Sequence, residues 1–205
     1  MEQRLWMILQ LFGGAALFLY SMDTLTDALQ QAAGDTLRQA LARLTAHPLA
    51  GVLTGAAVTA VVQSSSATIG VLQGVARQAG PDGVHSLLGL TEAIPILLGD
   101  NIGTTITAVL AAIGQGRDAK RVAAAHAIFN LSGAAVCCAL LQPFAALVRL
   151  CSPTGAECAV IARQIANAHT LFNVLCALVW LPLTGQMVRL VCALLPDKNR
   201  PEERL

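Results

Sequence analysis

Long stretches without a charged side chain follow one another along the chain. The longest cross 18 to 29 positions, and about 20 apolar residues suffice to cross a bilayer as a helix. This pattern predicts an all-α polytopic membrane protein. Histidine is the only residue in these runs that can carry a charge near neutral pH. The runs are Leu5–Met22, Pro48–Ala76, Ala93–Gly99, Asn101–Gly116, Val122–Val148 and Gln164–Val188.

The first of these runs is predicted as a membrane helix. Trp6 and Tyr20 lie near its two ends, where aromatic side chains anchor a helix at the membrane interface. Further along the chain, the pattern predicts two more spans and one short run that is partly interfacial. These are about Val122–Leu141 and Ile161–Leu181, followed by Leu183–Leu195.

Residues 23–46 have a different pattern from their apolar neighbours. Leucine and alanine recur every three or four positions from Leu25 to Leu44, and Asp, Gln and Arg lie on the other faces. This spacing, with low overall hydrophobicity, predicts an N-terminal interfacial amphipathic segment. Gly34 and Asp35 are expected to divide it into two short helices, as C-cap and N-cap.

The run over residues 48–76 is too long for one span. As a single helix it would measure about 44 Å, against a hydrocarbon core of roughly 30 Å. A polar string, Gln63-Ser64-Ser65-Ser66-Ala67-Thr68, divides it into two shorter arms. Polar backbone at membrane depth is tolerated where it is buried in protein or lines a cavity, so a broken or re-entrant helical hairpin is predicted. Glycines four residues apart on each arm predict that the arms pack closely.

Residues 87–113 repeat this design less clearly. Pro95 and Gly99 interrupt an apolar run, and the polar string Asp100-Asn101-Ile102-Gly103-Thr104-Thr105 follows. A second broken helix is predicted at this string. Broken helices of this kind build the substrate sites of secondary transporters. Residues 1–196 are therefore predicted to form one membrane transport domain, and residues 197–205 a charged tail.

The first polar string offers groups that can replace the hydration shell of an ion. The hydroxyls of Ser64, Ser65, Ser66 and Thr68 both donate and accept hydrogen bonds, and Gln63 adds an amide. At a helix break, unpaired N–H groups favour an anion, and freed carbonyls favour a cation such as sodium. The alternative is that the serines bond to nearby carbonyls and only bend a helix.

In the second string, the candidate groups are Asn101, Thr104 and Thr105. Asp100 is the single acid between residues 93 and 116, and a carboxylate within a membrane segment indicates function. Two interpretations stand: Asp100 binds a coupling ion, or it is hydrated near the lipid headgroups.

Two short segments share the pattern Ala-His-x-Ile/Leu-Phe-Asn. They place His126 and Asn130 in one apolar span and His169 and Asn173 in another. The repeat predicts equivalent polar groups on two helices. The histidines can relay protons, contact an anion or serve as packing residues, and the asparagines can bond between helices or line a site.

Composition agrees with the membrane class. The chain is 55% hydrophobic and 12% charged, with a net charge of +1, so nucleic acid is not expected as a partner. The six cysteines show no metal-binding spacing, although Cys151 and Cys158 flank a loop and could form a disulfide bridge.

No serine lies in a nucleophile motif, so we expect no enzyme, no cofactor and no metal beyond a transported ion. Basic residues within 114–121 favour the cytoplasmic side for that loop.

Taken together, the Gln-Ser-Ser-Ser string, the Gly99–Thr105 string and the two His-x-x-Phe-Asn segments resemble the type II sodium/phosphate cotransporter family. The resemblance runs from about residue 11 to residue 195. It implies sodium-coupled transport of phosphate by an alternating-access protein of the cell (inner) membrane, with inverted repeats. It also implies a phosphate and sodium site at Gln63, Ser64, Ser65 and Ser66, and a second family string at Asn101, Thr104 and Thr105.

The chain departs from that family's pattern in three ways. It carries one Gln-Ser-Ser-Ser copy where family members usually have two, and Asp100 stands where a small neutral residue is more typical. Bacterial relatives often add a soluble regulatory domain, and this sequence stops at Leu205. We therefore expect two chains to pair as a homodimer, or one chain to join a partner half-transporter. The alternatives to transport are an inactive half-transporter or membrane scaffold, and a passive anion channel.

Overall fold

The structure, a computed structural model, describes residues 3–21, 24, 28 and 47–197, and these residues are almost entirely helical. The prediction of an all-α protein is confirmed. In the described residues the helices are α1 (Gln3–Ser21), α2 (Pro48–Val62), α3 (Ser65–Ala76), α4 (Leu90–Ala111), α5 (Arg117–Ala139), α6 (Leu141–Leu150), α7 (Glu157–Trp180) and α8 (Thr184–Leu194).

Three of these helices, α1, α4 and α5, are long and apolar enough to cross a membrane. The pair formed by α7 and α8, bent by 85° at a short break, brings the number of candidate spans in the described residues to as many as four. Large apolar side chains are exposed on several helices, for example Val61 at 83% and Leu181 at 74%. Such surfaces suit contact with lipid, and the chain is a membrane protein.

The predicted break between the two arms of residues 48–76 is confirmed. Helix α2 ends at Val62, Gln63 has a left-handed backbone conformation with φ 56° and ψ 25°, and α3 begins after Ser64. The N–H of Gln63 still donates to the carbonyl of Thr59, at 2.7 Å. The chain therefore changes direction within two residues.

The predicted second break, at residues 100–105, was wrong because α4 is one continuous helix of 22 residues. The threonines do not interrupt it. The hydroxyl of Thr104 donates to the carbonyl of Asp100 at 2.9 Å, and that of Thr105 donates to Ile102 at 2.7 Å. These bonds satisfy the polar side chains within the helix, so no break is needed.

Close packing of α2 against α4 explains the glycines of these two helices. A Cβ on Gly51 would lie 2.9 Å from Cβ of Pro95, and one on Gly103 would lie 2.9 Å from Cβ of Thr59. A Cβ on Gly55 would likewise meet the backbone of α4, at 2.9 Å from the nitrogen of Asp100. Small residues let helix backbones approach within lipid. The first arm thus packs on α4 through its glycines, rather than on α3 as the hairpin interpretation expected.

Helix α4 lies at the centre of the described residues, in contact with α2, α3, α5, α6 and α7. Every residue from Ala93 to Asn101 is buried. Helix α7 supplies the other large part of the core, including the fully buried Ile161, Ile165 and Phe172. The amide of Gln73 donates to the carbonyl of Ala162 at 3.0 Å, which joins α3 to α7.

Several sequence expectations concern the ends and loops. The amphipathic segment 23–46 lies almost wholly outside the described residues, and so does the tail beyond residue 197. At the start of that tail, Asp197 pairs with Arg121 at 3.1 Å. All six cysteines are free, so the bridge between Cys151 and Cys158 is not formed.

Candidate functional site

The break places the N-terminus of α3 beside the end of α2. Ser64 is the N-cap: its backbone is extended, and its hydroxyl accepts a hydrogen bond from the N–H of Ala67 at 3.3 Å. The first N–H groups of a helix have no acceptor within that helix. Those of Ser65 and Ser66 therefore remain available to a ligand at the positive end of the helix dipole.

Gln63 adopts a backbone conformation that is unfavourable for its side chain. It is the one residue other than glycine with positive φ among those described, and a left-handed residue with a Cβ costs about 1–2 kcal/mol. Residues held this way cluster at binding sites, so the observed strain makes Gln63 a candidate site residue. Gln63 and Ser66 are exposed, while Ser64 and Ser65 are half-buried, so the break is accessible.

Behind the break, one buried cluster joins three helices. The hydroxyl of Thr59 on α2 donates to Oδ1 of Asp100 on α4 at 2.7 Å, and lies 3.2 Å from the hydroxyl of Thr68 on α3. Thr59 and Asp100 are both 0% exposed, and Thr68 is 7% exposed. The two polar strings thus meet at Thr68 and Asp100, through a residue that lies in neither.

Sequence reasoning missed Thr59 as a candidate site residue. Its signal was present, because Gly51, Gly55 and Thr59 form a row with a spacing of four. Residues four apart lie on one face of a helix. The glycine row that packs on α4 therefore ends in a hydroxyl facing the same helix.

Asp100 lies inside the helix packing and not at the protein surface. It is fully buried, and its Oδ2 has no hydrogen-bond partner among the described residues. Of the two interpretations left open by the sequence, the hydrated surface acid is wrong. A buried carboxylate oxygen without a partner is unfavourable unless a proton or a cation compensates it.

The remaining polar groups of α4 have separate partners. The amide of Asn101 donates to the carbonyl of Leu97 at 2.9 Å, and its Oδ1 accepts from the amide of Asn173 on α7 at 3.3 Å. Thr104 and Thr105 are half-buried, and their hydroxyls are engaged by their own helix. Asn101 and Asn173 therefore form a polar contact between α4 and α7.

The two His-x-x-Phe-Asn segments lie in the middle of α5 and of α7. In each, the asparagine donates to the carbonyl of the histidine four residues earlier, at 3.0 Å for Asn130 and 2.9 Å for Asn173. Only Asn173 also reaches another helix within the described residues. Both histidines are half-buried, and no hydrogen bond joins His126 or His169 to the break in the part of the chain that the structure describes.

Comparison with curated proteins finds several relatives, some of which are named for phosphate transport. The uncharacterized protein YqeW of Bacillus subtilis (strain 168) is 40% identical over 147 residues, which are 72% of this chain and 44% of YqeW. The sodium-dependent phosphate transport protein 2A of Oryctolagus cuniculus is 36% identical over 106 residues, 50% of this chain and 15% of that protein. The human protein 2B is 32% identical over 131 residues, 60% of this chain and 18% of that protein.

This chain therefore spans less than half the length of the curated relatives it matches here. No solved structure matches it. The sequence model of the family described as Na+/Pi-cotransporter matches residues 17–171, a stretch that contains the break, the buried cluster and α4. Because this match covers well over half of the chain's 205 residues, the chain belongs to the Na+/Pi-cotransporter family.

Proposed function

We propose that this chain carries out sodium-coupled transport of inorganic phosphate, as a multi-pass protein of the cell inner membrane. The observation that carries the proposal is the break at Gln63–Ser64, where the N-terminus of α3 opens beside a strained, exposed glutamine. The family and the names of the relatives support phosphate and sodium as the substrates.

Phosphate would bind at the N-terminus of α3. The N–H groups of Ser65 and Ser66 and the serine hydroxyls supply donors for a tetrahedral anion, and the helix dipole favours negative charge there. The first turn of α3 contains no acidic residue, so no fixed negative charge opposes the anion. Gln63 and Ser66, being exposed, would be the first groups that it meets.

Sodium would bind to oxygen atoms near the same break. The last carbonyls of α2 have no partner within the helix, apart from that of Thr59, which accepts from Gln63. Among the described residues, Asp100 provides a buried carboxylate, and it is joined to α2 by Thr59. No group of three His, Cys, Asp or Glu residues that could hold a tightly bound metal occurs in the described residues.

The exposed side of the break would face a second, equivalent break. A second copy of this chain in a homodimer could supply it, or a partner half-transporter. A two-fold axis brings equivalent surfaces together, so Gln63 residues of two protomers would approach one another. The test uses a chain whose six native free cysteines are replaced by alanine. A cross-link between Gln63→Cys protomers in membranes, absent in Thr170→Cys at an exposed position of α7, would support the homodimer.

Radiolabelled phosphate uptake into proteoliposomes tests the transport proposal. We expect an inward sodium gradient, but not a potassium gradient, to drive accumulation above equilibrium. Ser66→Ala should lower this uptake at least tenfold, while Thr170→Ala should leave it unchanged because that hydroxyl donates only to its own helix, at the carbonyl of Ala166.

Each other outcome has a distinct meaning. Equilibration without accumulation would identify a passive anion channel. No uptake by folded, inserted protein under either gradient would contradict transport by this chain alone and favour the half-transporter or scaffold. Equal uptake by both variants would remove the serine string from the phosphate site.

A further inference from the structure

Three oxygen-bearing side chains from three different helices meet at one buried point. Asp100 of α4, Thr59 of α2 and Thr68 of α3 are joined by contacts of 2.7 Å and 3.2 Å through the Thr59 hydroxyl. Helix contacts bury all three residues. We call them the Asp100 cluster.

The Asp100 cluster has too few hydroxyl hydrogens to give each of its oxygen atoms a hydrogen-bond donor. Thr59 has one hydroxyl hydrogen, and its shorter contact assigns that hydrogen to Oδ1 of Asp100. The hydroxyl of Thr68 donates to the carbonyl of Ser64 at 3.1 Å. Both hydroxyl oxygens therefore keep lone pairs, and Oδ2 of Asp100 has no donor among the described residues.

No basic side chain of the described residues forms an ion pair with Asp100 either. The ion pairs found in the described residues involve Asp82, Asp118 and Asp197, not Asp100. An ionised carboxylate without a partner is very unfavourable in a buried, apolar setting. The cluster therefore has the composition of a cation site: one negative charge with neutral oxygen ligands around it.

We propose that the Asp100 cluster binds one monovalent cation, with Oδ2 of Asp100 and the oxygens of Thr59 and Thr68 as ligands. One carboxylate balances one positive charge, whereas a divalent ion would leave a net charge buried. Oxygen ligands without sulfur or imidazole suit a hard cation. The choice of sodium rests on the proposed function, while the existence of a cation site rests on the geometry of the cluster.

Binding there would couple the cation to the break. The ion would hold α2, α3 and α4 together directly behind Ser64, the cap of the helix end proposed to receive phosphate. An ion that stabilises this arrangement raises the affinity for phosphate, and phosphate raises the affinity for the ion by the same factor. The Asp100 cluster thus gives a physical route for the coupling.

Sodium binding to the purified chain, without phosphate, tests the cluster directly. The melting temperature in detergent would be measured against sodium concentration, with choline keeping the ionic strength constant. We expect saturable stabilisation of the wild type by sodium. The apparent affinity should fall at least tenfold in Asp100→Asn and several-fold in Thr59→Val, the variant that keeps the carboxylate if Asp100→Asn does not fold.

Thr107→Val is the matched control. Thr107 lies on the same helix, and its hydroxyl donates to the carbonyl of Thr104 at 2.8 Å, away from the cluster. Its sodium affinity should equal that of the wild type. A wild type that sodium does not stabilise, or an Asp100→Asn protein with unchanged sodium affinity, would overturn the proposal.

One further outcome distinguishes a bound proton from a bound cation, and another distinguishes the cation site from the proposed transport function. A wild type stabilised equally by sodium and choline, but more strongly at low pH, would show that Asp100 holds a proton and would overturn the cation site. Sodium stabilisation that depends on Asp100, in a protein that transports no phosphate, would support the cation site and contradict only the proposed function.

Discussion

Replacing Gly99 by alanine should separate α2 from α4 and disturb the Asp100 cluster. A Cβ at Gly99 would lie 2.8 Å from the nitrogen of Ala56 and inside contact distance of the Val52 carbonyl. Ordinary Cβ contacts begin at 3.4 Å. The neighbouring atoms are backbone, which cannot rotate away, so the helices must move apart by at least about 0.6 Å in this closely packed interior.

The expected loss of stability has two parts. Overpacking of a filled interface costs about 1–3 kcal/mol. The hydrogen bond of 2.7 Å from Thr59 to Asp100 crosses the same interface, and a separation of that size lengthens it to about 3.3 Å, beyond the usual range. Hydrogen bonds to charged groups contribute about 1.5–3 kcal/mol. For a chain of this size, the sum corresponds to a fall in melting temperature of about 5 °C or more.

Gly185→Ala is the matched control for this experiment. Gly185 lies within α8, and a Cβ there would meet nothing within 4 Å, so alanine should stabilise by about 0.5–1 kcal/mol. Melting temperatures in detergent would be compared for both variants and the wild type. If the melting temperature of Gly99→Ala equals that of Gly185→Ala or exceeds that of the wild type, α2 and α4 do not approach each other as closely as described.

Three other substitutions test parts of the account. Thr59→Val should lower the stability by about 1–3 kcal/mol in thermal melts, because it leaves Oδ1 of Asp100 without a donor; an unchanged melting temperature would contradict this. Gln63→Gly should raise stability by about 1–2 kcal/mol by relieving the left-handed strain, yet lower phosphate uptake; unchanged uptake would show that the amide is dispensable. His85 donates to Asp82 at 2.5 Å, which lowers the pKa of Asp82 to about 2 and raises the pKa of His85. The pair should therefore stabilise the loop fully between the ordinary pKa values of 3.8 and 6.5, and lose this as pH falls through about 2 or rises through the raised pKa of histidine. The melting-temperature difference from His85→Ala, followed against pH, should peak in that window; a difference independent of pH would exclude the pair.

The break at Gln63–Ser64 could be predicted from the sequence because length and polarity agreed there. An uncharged run longer than the membrane is thick had to be interrupted, and a serine is a strong N-cap. The left-handed conformation of Gln63 could not be predicted, since glycine is the residue expected there.

The prediction failed at α4 because the same residue types can break a helix or fit within one. Threonine hydroxyls can bond to carbonyls of the preceding turn, and Thr104 and Thr105 do so. Gly99 and Gly103 allow α2 to pack closely on α4 and do not interrupt the helix. Which of these outcomes holds depends on the neighbouring helix, and local sequence does not specify that neighbour.

The candidate site, too, could be predicted from the sequence only in part. The polar strings indicated Thr68 and Asp100 separately, but their meeting through Thr59 depends on tertiary packing of three helices. A lone threonine in an apolar arm gives a weak signal. The row of Gly51 and Gly55 marks a helix face that packs closely, but the sequence does not say that α4 is the helix that packs against it.

The measurement that tests the central claim most directly is phosphate binding, in saturating sodium, to Ser65→Pro compared with Ser65→Ala. Proline suits the first position of a helix, and it requires an extended preceding residue; Ser64 is extended, with φ −142° and ψ 101°. Both variants lack the hydroxyl, but only proline also removes the N–H at the start of α3. If phosphate binds at this helix end, Ser65→Pro should bind about tenfold or more weakly than Ser65→Ala, as expected for a lost hydrogen bond to a charged group. Equal affinities in two folded variants would contradict the claim that the N-terminus of α3 receives the anion.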